Sequence, residues 1–316
     1  MQGKRVVVFG GSGFVGRYLV RRLAQAGANV TVAVRDPEAA LFLKPMGDVG
    51  QIAPVYANVR KPKSVARAME GADAVVNLVG VLHQGDQSFA GAHVIGTKNV
   101  AEAAAAAGVT RFIQVSALGA DPKGASTYAQ TKAAGEAAAL AAVPTATIVR
   151  PSVLFGPEDD FLNKFGAMSR ISPALPLIDG GRTRFQPLYV GDLADALMGA
   201  LRTDDAQGKT YELGGPRVMS FRDILEYVLQ QTERFAFLAP LPSGLAKAIG
   251  LFAQLLPNPP LTMDQVTLLA SDSVANPDMP GLSDLGVTAP TPIEAIAPAY
   301  LARYQKPKRL GVADAG

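Results

Sequence analysis

The stretch KRVVVFGGSGFVG (4–16) decides the fold of this 316-residue chain. A short β-branched run, KRVVVF (4–9), leads into glycines spaced Gly10-x-x-Gly13-x-x-Gly16. In such a pattern the first glycine turns sharply out of the strand, the second lets the backbone approach a pyrophosphate, and the third permits close helix–strand packing. The phosphates would meet free N–H groups and the positive end of the helix dipole. The alternative is a tight turn that binds no ligand.

Strand and helix patterns alternate through the rest of the first half. Apolar strand-like runs lie at 28–34, 51–56, 72–79, 110–116 and 145–150, with helical segments at 62–70, 88–107 and 126–142. This rhythm predicts an α/β fold, a Rossmann-type doubly wound parallel sheet over residues 1–150. Its ligand crevice should lie at the carboxyl ends of the strands.

The alternation ends after Pro151, where proline and glycine become dense. Helices are predicted at 191–202, 220–230, 243–256, 262–271 and 292–304, and a further sheet strand at 209–215. We interpret residues 151–316 as a smaller, mostly helical, discontinuous C-terminal cap over the crevice that also docks on a partner.

The composition excludes several classes of function. Lys and Arg number 30 and Asp and Glu 27, and the net charge of +3 gives no argument for nucleic acid. The absence of Cys removes disulfides and thiolate zinc sites, and two His residues make no His-rich metal site, so no metal is expected. The sequence contains no run of about 18 uncharged apolar residues, so no membrane-spanning helix is predicted. Because the first strand begins near Lys4, we expect no presequence before the fold.

The end of the second predicted strand distinguishes between nicotinamide cofactors. An NAD site favours a carboxylate there, which accepts hydrogen bonds from the ribose hydroxyls. This chain has Arg35, followed by Asp36. A guanidinium cannot accept those bonds but can pair with a 2′-phosphate, so we predict NADP(H). The alternative is a solvated Arg35 with Asp36 serving the ribose.

Tyr128 and Lys132 are spaced i, i+4 on one predicted helix face, and Ser116 ends the preceding strand. A hydride-transferring site needs a proton donor near the substrate carbonyl. A Tyr hydroxyl serves if a neighbouring ammonium lowers its pKa from about 10. The ammonium can also hold the nicotinamide ribose. Such a pair occurs by chance in many proteins, so its placement after the fifth strand is what makes it informative.

Other polar residues have two interpretations each. His93 is a proton relay or a packed helix residue, and Asp159 and Asp160 are catalytic carboxylates or a helix cap. Three arginines are candidates for an acidic headgroup, a substrate phosphate, a partner or solvent: Arg150, Arg182 and Arg184. Segment 243–256 packs on the cap or contacts a partner or membrane surface. The basic tail KPKR (306–309) suits an anionic lipid surface, an acidic partner or solvent.

These residues belong to a wider set of motifs: GGSGFVG (10–16), NLVG (77–80), Ser116, Tyr128-x-x-x-Lys132, RPSVLFGPED (150–159) and QPLYVGDLADAL (186–197). Together they resemble the extended and atypical branch of the short-chain dehydrogenase/reductase superfamily, over nearly the whole chain. Four further segments are most similar to the NADPH-binding accessory subunits of respiratory complex I and their bacterial homologues: 161–168, 182–190, 257–274 and 285–304.

This resemblance implies a tightly held NADPH with a structural role and no implied turnover. The partners would be other complex I subunits. The location would be peripheral, at the cytoplasmic face of a bacterial inner membrane, or at the matrix face for a processed mitochondrial chain. It further implies phosphate contacts from Ser12, Phe14 and Val15, adenine contacts from Asn58, Val59, Val79 and Gly80, and nicotinamide contacts from Pro151 and Val153. The sugar-active relatives usually carry Asn where His93 stands, and Asp is common where Asn58 stands.

Two other functions stay open from the sequence. An active NADP-dependent reductase or epimerase, on a sugar-nucleotide or isoprenoid-like substrate, would use Tyr128 as acid/base, Lys132 as its modulator and Ser116 to polarise the carbonyl. A redox-sensing module would bind NADP(H) loosely and signal through a partner.

Overall fold

The structure is a computed structural model that describes residues 1–82, 88–242, 244 and 263–306. Its first half contains β1 (Arg5–Phe9), α1 (Phe14–Gln25), β2 (Asn29–Val34), β3 (Ile52–Tyr56), α2 (Pro62–Ala68), β4 (Ala74–Asn77), α3 (Gly96–Ala106), β5 (Arg111–Val115), α4 (Thr127–Ala142) and β6 (Thr147–Pro151). A π-helical turn (Ala90–Ile95) leads directly into α3, and a 3₁₀ helix (Leu41–Met46) precedes β3.

The second half continues with β7 (Leu154–Phe155), α5 (Leu162–Ile171), β8 (Ala174–Ile178), β9 (Arg184–Phe185), β10 (Leu188–Tyr189), α6 (Val190–Arg202), β11 (Thr210–Leu213), β12 (Met219–Ser220), α7 (Phe221–Gln231), β13 (Phe237–Leu241), α8 (Met263–Leu269) and α9 (Ile293–Leu301). Short 3₁₀ helices lie at Asp179–Gly181, Asp204–Ala206, Ser283–Leu285 and Ala302–Tyr304.

Seven parallel strands form the main sheet, in the order β11-β6-β5-β4-β1-β2-β3. The predicted α/β fold with a doubly wound sheet is confirmed. Within β1, Val6 and Val8 pack in one core layer and Val7 and Phe9 in the other. A strand covered on both faces needs apolar residues at successive positions, which explains the run without polar alternation.

A third core lies within the C-terminal half, and several of its largest residues are aromatic. Phe165 and Phe221 have ring centroids 5.5 Å apart, and Phe185 lies 6.1 Å from Phe221. The α9 helix contributes Ile293 and Tyr300 to the same cluster. This cluster holds together α5, α7 and α9 of the C-terminal half.

The sequence-based prediction missed several elements of this half, including the short strands β7, β9, β10 and β12. The α5 helix was not predicted, nor was the parallel pairing of β8 with β13. Each of these strands contains a proline, Pro176 or Pro240, and proline is tolerated only in edge strands because it donates no ladder hydrogen bond. Apart from residue 244, the predicted helix 243–256 lies outside the described residues, as does most of the basic tail.

The helices in the described part of the chain are all too short or too polar to cross a membrane.

Candidate cofactor-binding cleft

The glycine loop has the sharp turn that its spacing predicts. Gly10 has φ +76°, a left-handed conformation that favours glycine, and its N–H donates to the Ala33 carbonyl at 3.1 Å. A Cβ on Gly16 would lie 2.4 Å from the Gly11 carbonyl oxygen, so Gly16 is needed for close packing. Gly16 packs against the backbone of the glycine loop, whereas the sequence-based prediction had it packing against the strand. The loop therefore closes tightly on the first turn of α1.

The start of α1 is open to a ligand. Gly13 is the N-cap, no side chain caps it, and the first turn holds no acidic residue. The first turn of a helix has N–H groups without intrahelical acceptors, and the helix dipole adds positive potential there. This arrangement fits a pyrophosphate.

One cleft of about 1370 Å³ runs from this loop across the carboxyl ends of the strands to the cap. Almost all predicted cofactor residues line it: Gly10, Ser12, Gly13, Phe14, Val15, Gly16, Arg35, Val59, Val79, Gly80, Ser116, Tyr128, Lys132, Pro151 and Val153. The sheet topology brings these residues together from separate strand ends, as expected for a switch-point crevice.

Asn58 is the exception, because it does not line the cleft. Its side-chain oxygen accepts from the Arg60 N–H at 3.0 Å, and its own N–H donates to the Ser64 hydroxyl at 3.0 Å. The side chain thus shapes the turn before α2, and its contact with adenine stays a prediction.

The side chains of Arg35 and Asp36 differ in their hydrogen bonds within the protein. One carboxylate oxygen of Asp36 accepts from the N–H groups of Glu38 and Ala39, at 3.1 Å each. Arg35 is exposed at the cleft edge, and no hydrogen bond or ion pair engages it within the described residues. The carboxylate is therefore tied to its own turn, whereas the guanidinium is available to an anion.

Lys132 is buried beneath the cleft with 6% of its surface exposed. Its ammonium donates to the Val115 carbonyl at 3.0 Å. Burial lowers the pKa of Lys132 to about 8, and the negative charge of Glu136 opposes that shift. Glu136 is itself paired with Arg150, at 2.7 Å in the shorter of two contacts.

The expectation that Lys132 lowers the pKa of Tyr128 is wrong in this geometry. Burial raises the pKa of Tyr128 to about 12. The Lys132 ammonium donates to the Val115 carbonyl, and the partial burial of Tyr128 in the cleft wall sets the direction of its pKa shift.

The Ser116 hydroxyl is buried at the cleft wall and has no hydrogen-bond partner. A buried hydroxyl without a partner costs free energy, so its presence beside an open cleft indicates a ligand oxygen or water there. This observation, the uncapped helix and the glycine cradle all fit a nicotinamide dinucleotide with a polar group beside it.

His93 was interpreted as a proton relay or as a packed helix residue, and the structure shows a packed residue. It is 2% exposed on the π-helical turn, stacked on Phe89 with ring centroids 5.5 Å apart. Its Nε2 accepts from the Val81 N–H at 3.0 Å, so its proton lies on Nδ1, 3.0 Å from the Thr131 hydroxyl. Burial and the charge of Lys132 lower the pKa of His93 to about 3. The imidazole therefore holds the backbone after Gly80 in place.

Asp159 has a structural role: its carboxylate holds the start of α5 and the Tyr300 hydroxyl, and it does not line the cleft. It is 3% exposed and accepts from the Gly156 and Asn163 N–H groups and from the Tyr300 hydroxyl, the last at 2.7 Å. Asp160 does line the cleft.

Two of the three candidate arginines have carboxylate partners. Arg150 contacts Glu136 and Glu212, and Arg184 contacts Asp272 at 2.7 Å. Neither is open to an anionic substrate without breaking an ion pair.

Sequence reasoning missed the far wall of the cleft. That wall is formed by residues of the cap: Phe161, Asn163, Lys164, Phe165, Phe185, Thr267, Leu268, Leu269, Ser271 and Ser273. Segments 161–168 and 257–274 had been singled out for their resemblance alone. No local pattern in them indicated that they would face the crevice.

The fold and the glycine cradle define a class, and comparison with known families agrees. The chain belongs to the NAD dependent epimerase/dehydratase family, whose model matches residues 6–214. Among solved structures, the chain superposes on Citrobacter sp. triphenylmethane reductase with a TM-score of 0.75 at 18% identity, covering 94% of this chain and 99% of that one. At this identity the likeness concerns the fold alone.

More similar in sequence are two mitochondrial proteins, each named NADH dehydrogenase [ubiquinone] 1 alpha subcomplex subunit 9. The one from Arabidopsis thaliana is 36% identical over 319 residues, covering 97% of this chain and 79% of the relative. The one from Mus musculus is 36% identical over 309 residues, covering 96% and 81%.

Proposed function

We propose that this chain is an NADPH-binding, non-catalytic accessory subunit of respiratory complex I, the NADH:ubiquinone oxidoreductase. It would stabilise the assembly near the membrane, with other complex I subunits as partners. The observation that carries the proposal is its 36% identity to a subunit of that enzyme over 97% of the chain. It would associate peripherally, at the cytoplasmic face of a bacterial inner membrane or the matrix face of a mitochondrial one.

The choice of NADPH over NADH is supported by the contrast between Arg35 and Asp36. Arg35 is free to pair with a 2′-phosphate, whereas Asp36 already accepts two backbone N–H groups. When bound, the dinucleotide would supply binding free energy that favours the folded state by mass action.

A structural rather than catalytic role is supported by the Tyr128–Lys132 pair. A general acid works best with a pKa near the operating pH, and the pKa of Tyr128 is raised to about 12. Lys132 hydrogen-bonds the Val115 carbonyl at the end of β5. In the proposed role both side chains would line the ribose site without transferring a proton.

Co-purification tests this proposal. The chain is tagged in its native host, membranes are solubilised gently, and native mass spectrometry is combined with an in-gel NADH oxidation assay. We expect the chain to migrate with active NADH:ubiquinone oxidoreductase and to retain one NADP(H) through washing. Recovery only as a separate species that exchanges its nucleotide would contradict the proposal.

The unpaired hydroxyl of Ser116 favours one second candidate, an active NADP-dependent reductase or epimerase. Ser116 would hydrogen-bond a substrate carbonyl, and Tyr128 would donate its proton to the same oxygen. NADPH consumption across a panel of carbonyl compounds tests this. Loss of turnover in Tyr128→Phe, but not in Tyr56→Phe at the exposed end of β3, would support it. No consumption with any carbonyl would count against it.

A further inference from the structure

The cleft of about 1370 Å³ exceeds the roughly 300–1000 Å³ of a typical small-molecule pocket. Part of its lining comes from the C-terminal half of the chain. We call the space along these residues the outer space of the cleft: Asp160, Phe161, Asn163, Lys164, Phe165, Phe185, Thr267, Leu268, Leu269, Ser271, Asp272 and Ser273. Ser116 lines the same cleft.

The wall of this outer space is aromatic and apolar. Phe161 is half-buried at the cleft surface, and its ring lies 5.6 Å from that of Phe165 and 5.8 Å from that of Phe185. Both supporting rings are 4% exposed, so they hold Phe161 in place. Leu268 on α8 lines the same space and is also half-buried. An apolar wall exposed inside a cleft indicates a ligand that covers it.

The charges of this outer space are compensated. Lys164 is the one cation among its described lining residues, and Asp160 lies close enough to affect its pKa. Asp272 is held by two contacts from Arg184, at 2.8 and 2.7 Å. A sugar nucleotide would need cations for its diphosphate, and here they are already neutralised.

We propose that the outer cleft binds a neutral, single-chain amphiphile: a carbonyl or hydroxyl head at Ser116, and an apolar chain along Phe161 and Leu268. The Ser116 hydroxyl, 5% exposed and without a partner, is the group that such a head would satisfy. This inference goes beyond the proposed accessory role, since neither NADPH binding nor attachment to complex I requires it, and it shares the Ser116 contact with the reductase candidate.

Isothermal titration of the purified full chain with the methyl ketones from 2-hexanone to 2-dodecanone tests the proposal, with and without NADP⁺. The Kd should fall about three- to fourfold per added methylene until the chain fills the space. Ser116→Ala should weaken every ketone about two- to tenfold without changing the dependence on chain length.

The variants separate the apolar wall from general hydrophobicity. Phe161→Ser should flatten the dependence on chain length, and Phe161→Leu should restore most of it if the fold is intact by circular dichroism. The control is Phe235→Ser, because Phe235 is 91% exposed outside this cleft. Affinity without chain-length dependence, or displacement of the ketones by UDP-glucose, would overturn the proposal. Because Arg35 lies at the other end of the cleft, loss of NADP⁺ binding in Arg35→Ala would leave ketone binding measurable on its own.

Discussion

The ammonium of Lys132 donates a hydrogen bond to the backbone carbonyl of Val115 at 3.0 Å, instead of serving Tyr128 one helical turn away. This contact joins α4 to the end of β5 under the cleft. It holds the ammonium at the carboxyl end of β5, in the wall of the cleft that Tyr128 also lines.

The burial of Lys132 predicts a pH dependence of stability. The folded side chain loses its proton near a pKa of about 8, and the unfolded one near 10.5. Between these values the unfolded state binds more protons, so the free energy of unfolding of cofactor-free protein should rise with pH. This gain in the free energy of unfolding amounts to about 3 kcal/mol. It is complete above the pKa of Lys132 in the unfolded state, and it is lost as the pH falls through the pKa of Lys132 in the folded state.

Urea unfolding between pH 7.5 and 10 measures this effect. Lys132→Met should lose the upward slope, and Lys98→Met, an exposed position on α3, should keep it. Parallel stability curves for the native protein and Lys132→Met would contradict the prediction.

His93 should remain neutral across the physiological range. Its pKa is lowered to about 3, and its Nε2 accepts from the Val81 N–H. Imidazole ¹⁵N spectra should show an Nδ1-protonated ring that does not titrate between pH 5 and 8. The chain has one other histidine, His83, so His83→Gln assigns the signals. A His93 signal that titrates near pH 6.5 would contradict the buried geometry.

Arg35 should determine preference for the 2′-phosphate. Arg35→Ala should raise the Kd for NADP⁺ about ten- to a hundredfold, because a charge-assisted hydrogen bond contributes about 1.5–3 kcal/mol. The Kd for NAD⁺ should change little. Titration of both nucleotides into the variant measures the ratio, with Arg182→Ala as the control for a surface arginine outside the cleft. Equal losses for both nucleotides would mean that Arg35 does not contact the phosphate.

The fold could be predicted where local pattern and tertiary burial agree. The β1 run and its glycine loop carry that information within thirteen residues, because a strand covered on both faces is apolar throughout. The β8 and β13 strands could not be found, because Pro176 and Pro240 mark loops in any local interpretation. Their pairing depends on the cap core, which brings distant segments together.

The position of the predicted cofactor residues in one cleft could be predicted, because loop and strand-end residues have fixed places in a doubly wound sheet. Asn58 differs because its side chain is held by its own turn. The pKa of Tyr128 could not be inferred, because spacing along a helix says nothing about burial or about where Lys132 points. Phe161 and Leu268 lie far apart in the sequence and line one cleft only in the folded chain.

The hydrogen bond from Tyr300 to Asp159 should fasten the C-terminal helix α9 to the loop before α5. The two groups are 2.7 Å apart in a buried setting, where burial raises the pKa of Asp159 and the bond from Tyr300 opposes that shift. Tyr300→Phe removes one of the donors to this carboxylate while keeping the ring in the core. We expect it to lower the free energy of unfolding by about 2 kcal/mol at pH 7. Tyr56→Phe, at a half-exposed position, should change stability by less than about 0.5 kcal/mol. Urea unfolding of both variants measures the difference, and equal stabilities would show that the cap is held by the aromatic cluster alone.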